Sequence, residues 1–139
     1  QMAEADLVDA LRASGEAVIS LVAEDGDGIV GHILFSKLQA PAGYLALAPP
    51  AVAPRRQGQG IGAKLVGEGL ARAKSGGWRA AFVVGAPAYY GRFGFAAAAA
   101  EPFETIYPKA FVLALELAPG GLACQSGPLL FAPPFLALG

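Results

Sequence analysis

The glycine-rich run Gln57-Gly58-Gln59-Gly60-Ile61-Gly62, inside the segment VAPRRQGQGIGAKL (52–65), is where residue types and spacing point most directly to chemistry. An apolar strand-like stretch leads into it and a helical pattern leads out, so the glycines fall at a strand-to-helix turn. A helix N-terminus carries backbone N–H groups without intrahelical acceptors and a partial positive charge, and both favour an anion. Glycines spaced two apart let the backbone approach such an anion closely, while Gln57 and Gln59 add neutral donors. Three readings compete. The glycines merely permit a tight turn; or Gly58, Gly60 and Ala63 form a G-x-G-x-x-A dinucleotide fingerprint; or the turn holds the phosphates of another ligand. The dinucleotide reading lacks the acidic residue wanted about 20 positions further on, at the end of the next strand, because Trp78–Val84 offers none. A P-loop is excluded, since no Gly-Lys-Ser/Thr follows.

A second segment, GAPAYYGRFGF (85–95), carries two adjacent phenols, Tyr89 and Tyr90. A tyrosine near its reference pKa of about 10 keeps its proton at neutral pH and can give it to a departing anion, although packing in the core explains either ring as well. Arg55, Arg56 and Arg92 are candidates for a phosphate contact or for plain solvation. Glu116 interrupts the apolar run AFVLALEL and is a candidate base, but reads more simply as an edge or solvent-facing charge. His32 within IVGHILF reads as structural, and Glu24, Asp25 and Asp27 as hairpin-turn acids. Nothing around Cys124 or His32 marks a nucleophilic triad, and one cysteine with one histidine makes no ordinary metal site.

The elements that must position these groups follow from periodicity. Leu7, Val8 and Leu11 recur at helical spacing over Ala3–Ala13. AVISLVA (17–23), the turn EDGDG and a strand over Ile29–Leu38 form a hairpin. Tyr44–Val52 is a strand, but Pro49-Pro50 removes two backbone donors, which predicts a break or bulge there. Gly60–Lys74 is the longest helix, with Ile61, Leu65, Val66 and Leu70 on one stripe, and Ser75-Gly76-Gly77 ends it. Arg79–Val84 reads as a strand buried on both faces, and Pro87 opens a short helix closed by Gly94-Phe95. Ala96–Ala100 has no clear state, Phe111–Leu117 is the last confident strand, and the Gly- and Pro-rich tail holds one short strand near Leu129–Phe131. The order is α-β-β-β-α-β-α-β in a single domain, 1–139.

At 139 residues, 55 % hydrophobic and 15 % charged, the chain has the composition of one well-buried globule. A net charge of −1 argues against a nucleic-acid partner. Proline and arginine interrupt every apolar stretch before it reaches the ~18–20 residues of a membrane span, and the N-terminus lacks a signal-peptide pattern, so a cytoplasmic protein with no membrane partner is expected.

Gln57–Gly62, with the preceding Val52-Ala53-Pro54, resembles the Q/R-x-x-G-x-G/A signature of the GNAT superfamily of acyl-CoA N-acyltransferases. GAPAYYGRFGF resembles the corresponding segment of a bacterial branch of predicted N-acetyltransferases. The likeness covers roughly residues 18–117. It implies a mixed α/β (α+β) fold: a mostly antiparallel central sheet with a bulged fourth strand and helices on both faces, the slot for acetyl-CoA lying beside the bulge. It implies that Gln57, Gly58, Gln59, Gly60, Ile61, Gly62 and Ala63 hold the pyrophosphate and that the backbone of Ala51 and Val52 holds the pantetheine arm. Tyr90 falls at the general-acid position. The reaction implied is direct acetyl transfer from acetyl-CoA to a primary amine, with no metal. The acceptor is a small molecule or a peptide, and the protein a monomer or homodimer. The alternative is a non-catalytic CoA-binding or regulatory module of the same fold. The family's first strand and helix are not evident in this chain, which opens on what reads as the second helix.

Overall fold

A computed structural model describes residues 17–26, 28–39, 41–123 and 125–131. The helix expected over Ala3–Ala13 lies outside them. Strands β1 (Ala17–Asp25) and β2 (Gly28–Lys37) form the expected antiparallel hairpin. Its turn re-enters β2 at Gly28 with φ of 116°, in the left-handed region that suits glycine. Strand β3 (Tyr44–Val52) runs antiparallel to β2. Helix α1 (Ile61–Ser75) then carries the chain back, so β4 (Ala80–Val84) joins β3 in parallel. Strand β6 (Val112–Glu116) closes the sheet antiparallel to β4, giving the order β1-β2-β3-β4-β6.

Alternation along the strands sends side chains to two cores. Ile33, Phe35, Leu45, Leu47, Val83 and Leu113 meet Leu65, Val66 and Ala73 of α1 on one face. Two glycines let this helix come close. A Cβ on Gly69 of α1 would overlap the Phe35 ring, and one on Gly31 of β2 would stand 3.2 Å from both Ile61 and Leu65. The opposite face buries Leu34, Ala46, Phe82, Val112 and Ala114 beneath Phe103, Leu129 and Phe131. There Tyr44, Phe82 and Phe103 pack ring to ring, with centroids 5.1–5.9 Å apart, and the Tyr44 hydroxyl donates to the Gly121 carbonyl at 2.8 Å. Full burial of each such large apolar side chain contributes roughly 1.5–3 kcal/mol.

The sheet is therefore mixed and mostly antiparallel, as expected. Among the described residues α1 covers one face. The other is covered by the one-turn helix α3 (Ala97–Ala100) and a two-stranded parallel sheet of β5 (Phe103–Glu104) and β7 (Gly127–Pro128). The alanine run thus resolves into a helix after Ala96, which bridges Ala114 in both directions at 3.0 Å. The tail strand lies at Gly127–Pro128, two residues before the expected Leu129–Phe131. Pairing with Phe103–Glu104 sets its place, and the Leu129 and Phe131 side chains go into the core instead.

The expected break in β3 is a bulge. Leu34 pairs with Ala48 and His32 with Ala51, so three steps of β3 span two of β2, the extra residue falling at Pro49-Pro50. The parallel ladder to β4 stops at Leu47–Val83, five residues before β3 ends at Val52.

Candidate active site

Where β3 parts from β4 a cavity of about 520 Å³ opens, walled by the end of β3, the glycine turn, the first turn of α1 and the one-turn helix α2 (Pro87–Tyr90). Gly58 and Gly60 have φ of 77° and 80°, and a Cβ on either would meet nothing within 4 Å. Their lack of side chains thus serves both the backbone conformation and the open space before the helix. Gly60 caps α1 in the left-handed conformation with no side-chain cap, and no acid lies in the first turn. The first intrahelical bond is Lys64 N–H to the Gly60 carbonyl at 3.1 Å. The N–H groups of Ile61, Gly62 and Ala63 precede it, at the positive end of a 15-residue helix dipole.

Side chains fix the turn from behind. Gln57 donates from Nε2 to the Val52 carbonyl at 3.1 Å, and Arg56 donates from Nη1 to Gln59 Oε1 at 3.1 Å. Arg56 and Arg55 both reach Asp25 Oδ2 at the end of β1, at 2.9 Å and 3.3 Å. Ala53 N–H donates to the Val30 carbonyl at 2.7 Å. Because successive residues of a strand alternate in direction, the Ala51 amide then faces β2 and the Val52 amide faces the gap.

On the far wall, Tyr90 is buried, 5 % exposed, with its ring edge-on to Tyr89 and Phe95 at 4.9 Å and 5.9 Å between centroids. Gly85 makes that position available, since a Cβ there would stand 2.5 Å from Tyr90 Cε2. The Tyr89 hydroxyl reaches across to the start of α1, 3.2 Å from where a Cβ of Gly62 would be. Arg92 lies over the Tyr89 ring at 4.4 Å and donates from Nε to the Tyr89 carbonyl at 3.1 Å.

Of the residues singled out in the sequence, Val52, Gln57, Gly58, Gly60, Ile61, Gly62, Ala63 and Tyr90 line the cavity. Ala51 and Gln59 do not: Ala51 is engaged with β2, and Gln59 is exposed and held by Arg56. Pro50, Arg56, Tyr89 and Arg92 complete the wall. Glu116 is far along the sheet, paired with Ala80 at the opposite end of β4 from Val84, and its Oε1 accepts the Leu122 N–H at 3.1 Å. His32 sits within the β2 ladder opposite Val22 and Ala51. Neither lines the cavity, and nor does any other described carboxylate. The wall is thus apolar and cationic, fitted for a polyanion at one end and an uncharged chain along β3. Asp25, read from the sequence as a turn acid, was missed as a tether, because its partners lie beyond two further strands.

Residues 2–95 match the family model described as the acetyltransferase (GNAT) family. The "uncharacterized N-acetyltransferase YhbS" of Escherichia coli (strain K12) is 37 % identical over 110 residues, a match covering 76 % of this chain and 66 % of that protein. The chain thus spans just under two thirds of that relative's length. The crystal structure of YhbS from Escherichia coli in complex with CoA superposes with a TM-score of 0.90 at 33 % identity, covering 98 % of this chain and 79 % of that one. A GNAT family acetyltransferase from Brucella melitensis in complex with acetyl-CoA gives 0.79 at 36 % identity, over 95 % of this chain and 77 % of that one.

Proposed function

The chain belongs to the GNAT acetyltransferase family, and from that premise we propose that it transfers the acetyl group of acetyl-CoA directly to a primary amine. The observation that carries this reading is the cavity itself. The bulge at Pro49-Pro50, the uncapped start of α1 and the buried Tyr90 all open onto one space. The pyrophosphate lies against the N–H groups of Ile61–Ala63 beside Arg56, and the pantetheine arm runs along the open edge of β3, where the Val52 amide faces the gap. CoA and acetyl-CoA in the two similar structures support the choice of ligand.

The acceptor reaches the thioester as a neutral amine, its surplus proton having gone to solvent. Its nitrogen forms a bond to the carbonyl carbon, the carbon–sulfur bond breaks, the sulfur takes the phenolic proton of Tyr90, and the new amide nitrogen gives up its extra proton to solvent, which returns one to Tyr90. Holding the thioester and the amine in line supplies most of the rate gain. Protonation by Tyr90 adds a smaller share, because a thiol with pKa near about 8.5 is already a fair leaving group. Calorimetry with acetyl-CoA, followed by thiol release over a panel of small-molecule and peptide amines, tests the reading. Absence of CoA binding sinks it, whereas binding with no turnover on any amine favours a non-catalytic CoA-binding module.

A further inference from the structure

We infer that Asp25, at the end of β1, is a positioning residue for coenzyme binding. It holds the Arg56 guanidinium on the cavity wall with its remaining donors free to face a phosphate. The inference rests on the reading of the cavity as a CoA site.

Asp25 ends β1, and its side chain is only 17 % exposed. Its Oδ2 forms an ion pair with Arg56, 2.9 Å from Nε, and accepts from Arg55 Nη1 at 3.3 Å, and Arg56 passes the restraint on by donating from Nη1 to Gln59 in the middle of the glycine turn. A guanidinium has five N–H groups in a rigid fork. With the guanidinium ion-paired to Asp25 at its Nε edge and one Nη1 donor fixed on Gln59, the orientation of the fork is set before any ligand arrives. Arg56 lines the cavity, whereas Arg55 does not, so the two arginines divide the work: Arg55 shares the load on the carboxylate and Arg56 presents charge to the ligand. The short 3₁₀ turn Pro54–Arg56 that carries both has no buried residue of its own, so the tether supplies a restraint that packing does not.

Two effects oppose each other at Asp25. One carboxylate between two guanidiniums leaves a net charge of +1, and neutralising it would raise the local positive potential and draw phosphates in more strongly. Loss of the tether frees a long side chain and loosens the turn. The inference is that positioning wins.

The test uses the full chain with CoA itself. In calorimetry Asp25→Asn raises the Kd for CoA about fivefold, the scale an exposed ion pair supports, while Asp25→Glu restores most of the affinity. Turnover at saturating acetyl-CoA stays within about twofold, so the change appears in KM and not in kcat. In an Arg56→Gln background, Asp25→Asn has no further effect. Without ligand, amide hydrogen exchange over residues 57–63 is faster in Asp25→Asn than in the wild type. Equal or tighter CoA binding by Asp25→Asn, or unchanged exchange in the turn, overturns the inference and leaves the CoA site standing. Failure of the wild type to bind CoA overturns the site and the inference together.

Discussion

The Tyr89 hydroxyl faces Gly62 across the mouth of the cavity, 3.2 Å from the point where a Cβ would stand. Gly62 sits in the first turn of α1 with Pro50 and Val52 each 3.7 Å from the same point, so any side chain there grows into the space between helix and β3. Alanine is favoured over glycine in a helix by about 1 kcal/mol. Gly62→Ala should therefore keep thermal stability near that of the wild type while weakening CoA binding, and Gly62→Val should weaken it by more than about tenfold. Gly60→Val places a branched side chain at a φ of 80° and should lose stability as well as affinity, by about 1–2 kcal/mol in stability. Paired thermal melts and CoA calorimetry separate the two cases; a folded Gly62→Val with unchanged CoA affinity would remove the pyrophosphate from this turn.

Tyr90→Phe deletes a proton donor and keeps the ring that packs on Tyr89 and Phe95. With acceptor saturating, turnover should fall about tenfold to a hundredfold and CoA affinity should barely move. Tyr89→Phe should change turnover less. Steady-state kinetics on both variants decides the assignment: full turnover in Tyr90→Phe with loss in Tyr89→Phe gives the role to Tyr89, and no loss in either gives it to water.

Gly85→Ala tests whether the position of Tyr90 matters as well as its proton. The added methyl would lie 2.5 Å from Tyr90 Cε2, so the ring must move. Turnover should drop by at least the factor seen in Tyr90→Phe while the fold survives, because Gly85 follows the last residue of β4 and the hydrogen bond its N–H donates to the Phe111 carbonyl, 2.9 Å, is untouched. Kinetics at saturating substrates together with a circular dichroism melt checks it.

Tyr44 gives the fold an alkaline limit. Burial pushes its phenol above the usual value of 10.0; the Arg79 guanidinium opposes that and Glu116 adds to it. Tyr107 is raised by burial in the same way. A folded-state pKa above the unfolded one means that the stabilisation is complete below about pH 10 and is lost as the pH rises through the folded value. Denaturant midpoints should be flat through neutral pH and fall steeply above about pH 10. In Tyr44→Phe the fall should be shallower, at a cost of about 1–3 kcal/mol at neutral pH from the unpaired Gly121 carbonyl.

Local signals carried much of this structure in the sequence. Pro49-Pro50 lack amide protons, which fixes where β3 must leave its ladder, and the glycine spacing before Ile61 needs no distant partner to be read. The helix stripe through Leu65 and Val66 and the buried run at Ala80–Val84 are equally local. What escaped depends on side chains meeting across the fold. The pairing of Gly127–Pro128 with Phe103–Glu104 is set by a strand too short to have a periodicity. The tether from Asp25 to Arg56 joins residues of the same polar, turn-like character, and nothing near either one reveals the other. Glu116 drew attention as an acid in an apolar run, but its alternation sends it outward to the Leu122 amide.

The turn that faces the cavity also belongs to the crossover between two parallel strands, so the coenzyme site proposed there is built from the sheet's own connection. Completing the β3–α1–β4 unit brings distant segments together, a slow step among folding events, and the same step creates the ligand-facing N–H groups. A ligand at that place reports on the whole unit. At a hundred times its Kd, CoA should raise the free energy of unfolding by about 2.7 kcal/mol, and the melting temperature should climb with its concentration. Damage anywhere in the crossover should flatten that climb, even where the glycines themselves are intact.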